Sequence, residues 1–387
     1  EIPLRLVGSE MCIRDRGSTT SLINLLVALF VGLSVGSNVV VARNLGGKRH
    51  DMVGRAVHTS ILMALVSGAI LAVFGFFAAR QLLVWMSSPA DVIDKSAIYL
   101  RIYFLGMPAT MAYNFGAAIL RAQGDTKRPL YFLIIAGVVN VILNLISVIL
   151  LNMDVAGVAL ATTISQYVSA GLVILCLTKE DGPLRLNLKA MKLDRHILGQ
   201  ILEIGLPAGF QGIVFSLSNV LIQSSINSFG ALAMAGNTAA SNIEGFVYTA
   251  MNAFAQAAVT FTSQNVGARR YDNLDRVMRN CLLCVTVVGL FLGCGAYFGG
   301  EVLLHFYSTD EAVVAAGLSR MQIICTAYFL CGIMDTLASC LRGRGYSVIP
   351  MIVSLVGSCL LRLVWIATIF RMFRSTGTLY ILSLIHI

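Results

Sequence analysis

Leu120-Arg121-Ala122-Gln123-Gly124-Asp125-Thr126-Lys127-Arg128-Pro129 returns in outline as Leu341-Arg342-Gly343-Arg344-Gly345, ending in Pro350, a displacement of 221 residues. The same displacement carries Asn44, Gly46, Arg49, Asp51 and Arg55 onto Asn265, Gly267, Arg270, Asp272 and Arg276, and Ser87 onto Ser308, without a gap. The segments between these loops are almost wholly apolar. A constant displacement across apolar segments predicts one set of membrane helices used twice, both sets running in the same direction.

Composition agrees. Hydrophobic residues make up 57% of the chain and charged residues 12%, with a mean hydropathy of +0.81, whereas soluble domains carry about 25% charged residues. The net charge of +9 comes from bases dispersed over short loops, which argues against a nucleic-acid face and for a topology signal. Apolar runs long enough to span a bilayer, about 20 residues, fall near 17–42, 54–80, 97–119, 130–151 and 155–178, and again near 199–227, 237–263, 277–299, 314–340 and 350–370. The fold class expected is therefore an all-α polytopic membrane protein of two parallel-repeat helical bundles, with about ten helices present.

The displacement leaves the helix at 199–227 without a partner, since its mate would precede residue 1, and it predicts a last helix starting near residue 376. Twelve helices, six plus six, are expected of an intact protein. The ends support this. Residues Met11 to Arg16 resemble a translated sequencing adapter, and Leu382 to Ile387 back-translate to the same oligonucleotide inverted. Five segments result: 1–16 adapter-like; 17–178 an amino-terminal bundle lacking its first helix; 179–196 a polar cytoplasmic linker with Pro183; 197–372 a carboxy-terminal bundle lacking its last helix; and 373–387 a truncated end, adapter-like from 382. Lys and Arg crowd the loops after alternate helices, such as Lys48 and Arg49, Lys127 and Arg128, and Arg269 and Arg270, while the opposite loops carry Asp91, Asp94, Glu301 and Glu311. The basic loops face the cytoplasm.

Asn44-Leu45-Gly46-Gly47-Lys48-Arg49 with its repeat Asn265-Val266-Gly267-Ala268-Arg269-Arg270, the two Leu-Arg-x-x-Gly loops and Gly205-Leu206-Pro207-Ala208 resemble the multidrug and toxic compound extrusion (MATE) family over residues 17 to about 372. The resemblance implies two bundles in a V around a central cavity in the plasma membrane. It implies alternating-access export of amphipathic or cationic compounds in exchange for H+ or Na+. The major facilitator fold would show an Asp-Arg pair amid glycines where this chain has Asn44 to Arg49. Polysaccharide and lipid-linked flippases of the same superfamily are the second reading.

Asn140 and Asn144 lie one turn apart on one helix face. With Thr162 they match, by the resemblance, an amino-terminal cation or proton site, with Asn144 where many members have Asp. In the second half Glu244, Asp335 and Arg362 are ionisable groups at membrane depth, costly enough to be functional candidates. At ~1.5 Å per residue, Glu244 lies about 11 Å below the outer boundary and Arg362 about 18 Å above the inner one. In a core about 30 Å thick those levels coincide. The pair is expected to form a structural ion pair, leaving Asp335, and second to it Glu244, for coupling. Gln211, Asn219, Gln223 and Asn227 form a polar stripe that, with Asn114, is expected to line a wet cavity.

Cys281 and Cys284 form a C-x-x-C inside an apolar run and read as small packing residues; metal ligation is not expected. The acids are scattered and the histidines solitary, which argues against catalysis, and there is no Walker-type loop for ATP. The expected partners are small amphipathic or cationic substrates and the lipid bilayer, for a monomer with no cofactor beyond its coupling ion, H+ or Na+.

Overall fold

The computed structural model describes residues 10–85, 93–151, 153, 155–227, 229 and 231–368. Every regular element among them is helical. In chain order they are α1 Glu10–Gly46, α2 His50–Trp85, α3 Ile93–Leu105, α4 Met107–Gln123, α5 Lys127–Leu145 and α6 Val155–Lys179. After a 3-10 turn at Leu188–Ala190 come α7 Arg195–Asn227, α8 Ala231–Gly267, α9 Asp272–Phe298, α10 Gly300–His305, α11 Glu311–Ala327, α12 Phe329–Arg344, α13 Val348–Ser354 and α14 Leu361–Ala367. A π-helical turn at Ile146–Leu150 extends α5, and another at Leu355–Leu360 joins α13 to α14.

The ten expected runs are helical where the structure describes them, two of them broken. The run expected at 97–119 divides between α3 and α4 at Gly106, because Pro108 follows in the first turn, where its missing N–H costs nothing. The run expected at 314–340 divides between α11 and α12, which bend by 44°. Among the described residues six helices are singly long and apolar enough to cross a membrane. α8 is not among them, because Asn237, Ser241, Glu244 and Tyr248 put polar groups along one of its faces. The outward face of α5, with Leu130, Ile134, Val138 and Val141 exposed, suits lipid. The chain is a multi-pass membrane protein.

The repeat is written into the backbone. α4 and α12 each end on a left-handed glycine, Gly124 (φ 97°, ψ 2°) and Gly345 (φ 101°, ψ −2°). Their amides donate to Arg121 O at 2.8 Å and Arg342 O at 2.9 Å. The following amides, Asp125 and Tyr346, donate to Leu120 O at 3.1 Å and Leu341 O at 2.9 Å, so both caps are Schellman motifs. The turns after α1 and α8 match as closely. Among the described residues Lys48 (φ 54°) and Arg269 (φ 56°) are the positive-φ non-glycine residues, and the Asn44 and Asn265 amides each donate at 2.9 Å to the carbonyl four residues earlier. Gly68 admits the Pro108 backbone of α4, and Gly289 admits Phe329 of α12 so closely that a Cβ there would lie 3.0 Å from its Cα. Each of these pairs is related by the displacement of 221 residues.

By packing the chain forms two compact units, 1–209 and 210–387. The boundary falls inside α7, beside Pro207, and not in the expected linker at 179–196. Two contacts explain this. First, Gly205 and Gly209 bring the start of α7 onto the backbone of α1, where a Cβ on Gly205 would meet Leu33 Cα at 2.7 Å. Second, the linker is docked, not loose: Leu184 and Leu186 are buried, the Asn187 amide donates to His58 Nε2 at 3.1 Å, and the Asp194 amide donates to Thr59 Oγ1 at 3.1 Å. Asp194 also accepts from the His196 and Ile197 amides at 2.9 and 3.2 Å, capping α7.

Candidate functional site

The carboxy-terminal unit contains a cavity of about 430 Å³ whose charged lining groups are Glu244, Arg320, Asp335 and Arg362, with Tyr248 and Tyr328 as aromatic walls. α8 supplies Glu244 and Tyr248 from the polar face that runs through Asn237 and Ser241, at spacings of three and four residues that stack on one side of a helix. α11 supplies Arg320 and α12 supplies Asp335.

The expected pairing of Glu244 with Arg362 is not formed. Glu244 Oε1 and Oε2 accept from Arg320 Nε at 2.9 Å and Nη2 at 2.7 Å, a bidentate pair buried on both sides. Arg320 Nη1 donates to Asn237 Oδ1 at 2.5 Å. Arg362 instead donates to Ser218 Oγ at 2.5 Å and Asn219 Oδ1 at 3.4 Å, both on α7. Depth alone places Glu244 and Arg362 at one level and leaves open which way each helix is rotated. α8 also begins at Ala231 and α11 at Glu311, each several residues before the expected start, which draws Arg320 deeper. Arg320 was legible as a lone base within an apolar run.

Asp335 faces the Tyr248 hydroxyl and feels the charge of Arg342, two turns further along α12. It makes no salt bridge among the described residues. The Tyr248 hydroxyl in turn accepts from Asn252 Nδ2 at 3.4 Å, and Asn252 Oδ1 from Gln256 Nε2 at 3.5 Å, a polar ladder along α8.

In the amino-terminal unit the expected cluster is assembled. Asn140 Nδ2 donates to Thr162 Oγ1 at 3.5 Å and to Ser165 Oγ at 3.3 Å, and Asn144 Nδ2 donates to Asn140 Oδ1 at 3.0 Å. Ser165 joins a set that sequence limited to three residues. Asn144 Oδ1 is buried and accepts from no group among the described residues. The cluster holds no charge, so it can offer oxygen ligands and cannot take up a proton near neutral pH.

Of the residues expected to line a cavity, Asn219 lines the one described. Gln211 does not. It is buried, donates to Ser354 Oγ at 2.7 Å and accepts from Arg342, tying α7 to α12 and α13. Asn114 is turned back on α4, donating to Thr110 O at 2.9 Å. The side chains of Gln223 and Asn227 lie outside the described residues.

Comparison with known proteins follows the same halves. The family model described as MatE matches residues 17–146 and 207–368. The probable multidrug resistance protein YoeA of Bacillus subtilis is 27% identical over 340 residues, covering 86% of this chain and 73% of that protein. The probable multidrug resistance protein NorM of Thermotoga maritima is 22% identical over 333 residues, covering 85% and 71%. Among solved structures, a MOP superfamily transporter from Pyrococcus furiosus overlays with a TM-score of 0.90 at 20% identity, over 98% of this chain and 85% of that one. The MATE transporter VcmN of Vibrio cholerae, as a mutant, overlays at 0.89 and 19%, over 98% and 86%. With both repeats matched over well over half of its length, the chain belongs to the MatE family.

Proposed function

We propose that the chain is a secondary active exporter of amphipathic, often cationic compounds, working by alternating access in antiport with H+ or Na+, as a monomer in the plasma membrane and without enzymatic activity. Asp335 carries this reading. It is a carboxylate at membrane depth, lining a cavity with aromatic walls, and it is not consumed by an arginine. Groups of that kind exchange an ion for a cationic substrate by competition, which is the chemistry antiport requires. Asn140, Asn144, Thr162 and Ser165 contribute neutral oxygens to coupling in the amino-terminal unit. Glu244 is withdrawn from direct coupling because Arg320 occupies both its oxygens.

The reading is supported by family membership and by relatives whose names describe multidrug resistance. Reconstituted protein should move tetraphenylphosphonium out of vesicles under an imposed proton gradient, an imposed sodium gradient, or both. Absence of movement under either, with translocation of a lipid-linked sugar instead, favours the flippase reading.

A further inference from the structure

We infer that Arg320 sets the cation selectivity of the carboxy-terminal cavity. By taking both oxygens of Glu244 it leaves Asp335 as the one carboxylate there open to a cationic headgroup, so the cavity accepts monovalent amphipathic cations in preference to divalent ones. The inference rests on the export reading and adds a substrate class to it.

Four groups give the cavity its charge, two acids and two bases. They are not equivalent. The guanidinium of Arg320 presents its Nε and Nη2 to the two oxygens of Glu244 at 2.9 and 2.7 Å, the fork-to-fork geometry that an ammonium cannot reproduce. Asn237 Oδ1 engages the third nitrogen at 2.5 Å, so rotating the guanidinium away breaks three hydrogen bonds together. Glu244 is 5% exposed and Arg320 9%, so water offers little replacement. Arg362 bonds to Ser218 and Asn219 on α7 and does not compete for Glu244. A cation entering the cavity therefore meets one available acid, on α12, with Tyr248 and Tyr328 to stack on. A second positive headgroup meets a carboxylate already neutralised.

Titration calorimetry on the purified full chain in detergent tests this with two probes, tetraphenylphosphonium and a butane-linked bis(triphenylphosphonium). Wild type should bind the monocation at least tenfold more tightly. Arg320→Gln, which frees Glu244, should move that ratio at least tenfold toward the dication, and Arg320→Lys, whose donors all sit on one nitrogen, should move it part of the way. Arg320→Met with Glu244→Met restores charge balance and should return the ratio to within threefold of wild type. If Arg320→Gln does not fold, the Lys variant and the double variant decide. A ratio that stays within threefold across all variants, or a wild type preferring the dication, overturns the selectivity proposal alone. Wild type binding neither probe overturns it together with the export reading.

Discussion

Asn114 and Asp335 occupy the same position in the two units, 221 residues apart on helices that end in superimposable glycine caps. In the amino-terminal unit the residue is an amide folded back on its own helix; in the carboxy-terminal unit it is an acid facing a cavity. The polar interior of the first unit is a neutral relay of Asn140, Asn144, Thr162 and Ser165, whereas that of the second holds four charges. The difference separates two kinds of constraint. Turns and helix crossings depend on backbone geometry and stay alike, while side chains facing the interior are free to take different chemistry.

The largest effect expected from testing this contrast is on stability. Arg320→Met strands the Glu244 carboxylate and should cost about 3–5 kcal/mol, with Glu244→Met on top of it restoring most of the loss. Thermal unfolding in detergent reads both, and an equally small loss in single and double variants would mean the pair is not as buried as its 9% and 5% exposures imply. Next come the matched crossings. A Cβ on Gly68 meets the Pro108 backbone and one on Gly289 meets Phe329, so alanine at either should cost about 1–3 kcal/mol from overpacking, more at Gly68 where the approach is closer. Gly124→Ala and Gly345→Ala should each cost about 1–2 kcal/mol, since both glycines have φ near 100°. Unequal costs would show that the two caps are alike only in outline.

In the neutral relay, Asn140→Ala should cost only about 0.6 kcal/mol, the typical interhelical hydrogen bond in a membrane bundle. A loss matching that of Arg320→Met would erase the contrast between the units. The smallest effects are on pH dependence at the membrane surfaces. His305 is raised above the ordinary imidazole range by its hydrogen bond to the Glu301 carbonyl and then by Glu311. Its contribution is fully present below about pH 6.5 and is lost as pH rises through the folded value. Asp194 behaves oppositely: hydrogen bonds from the Ile197 and His196 amides and Arg55 hold it below the usual carboxylate range. Its capping is present above about pH 3.9 and fades only as pH falls through the lower folded value. Amide exchange, corrected for intrinsic rates, should slow at α10 between pH 8 and pH 5 while the start of α7 is unchanged, and Glu311→Gln should weaken the α10 response.

Much of the fold was legible because the repeat rests on residues with steric meaning. Gly124 and Gly345 have to be glycine or pay strain, and so mark both halves. The break before Pro108 could be read from the proline; its counterpart at Tyr328, with Phe329 following, has no such marker. The neutral relay was legible because Asn140 and Asn144 share a turn. The Glu244–Arg320 pair was not, because one-dimensional depth does not fix which face of α11 turns toward α8. Gln211 misled for a related reason: a polar stripe along a helix says that the residues avoid lipid, and at Gln211 the polar partner is Arg342 and Ser354 rather than a cavity.

The proposed antiport places the coupling charge in the carboxy-terminal unit, at Asp335. The most direct measurement is gradient-driven efflux of tetraphenylphosphonium from proteoliposomes by wild type, Asp335→Asn and Asn114→Ala. Asp335→Asn should lose at least tenfold of the gradient-driven rate while Asn114→Ala stays within about twofold of wild type, a tenfold loss corresponding to ~1.4 kcal/mol. Full gradient-driven efflux by Asp335→Asn would mean that the coupling charge is not Asp335.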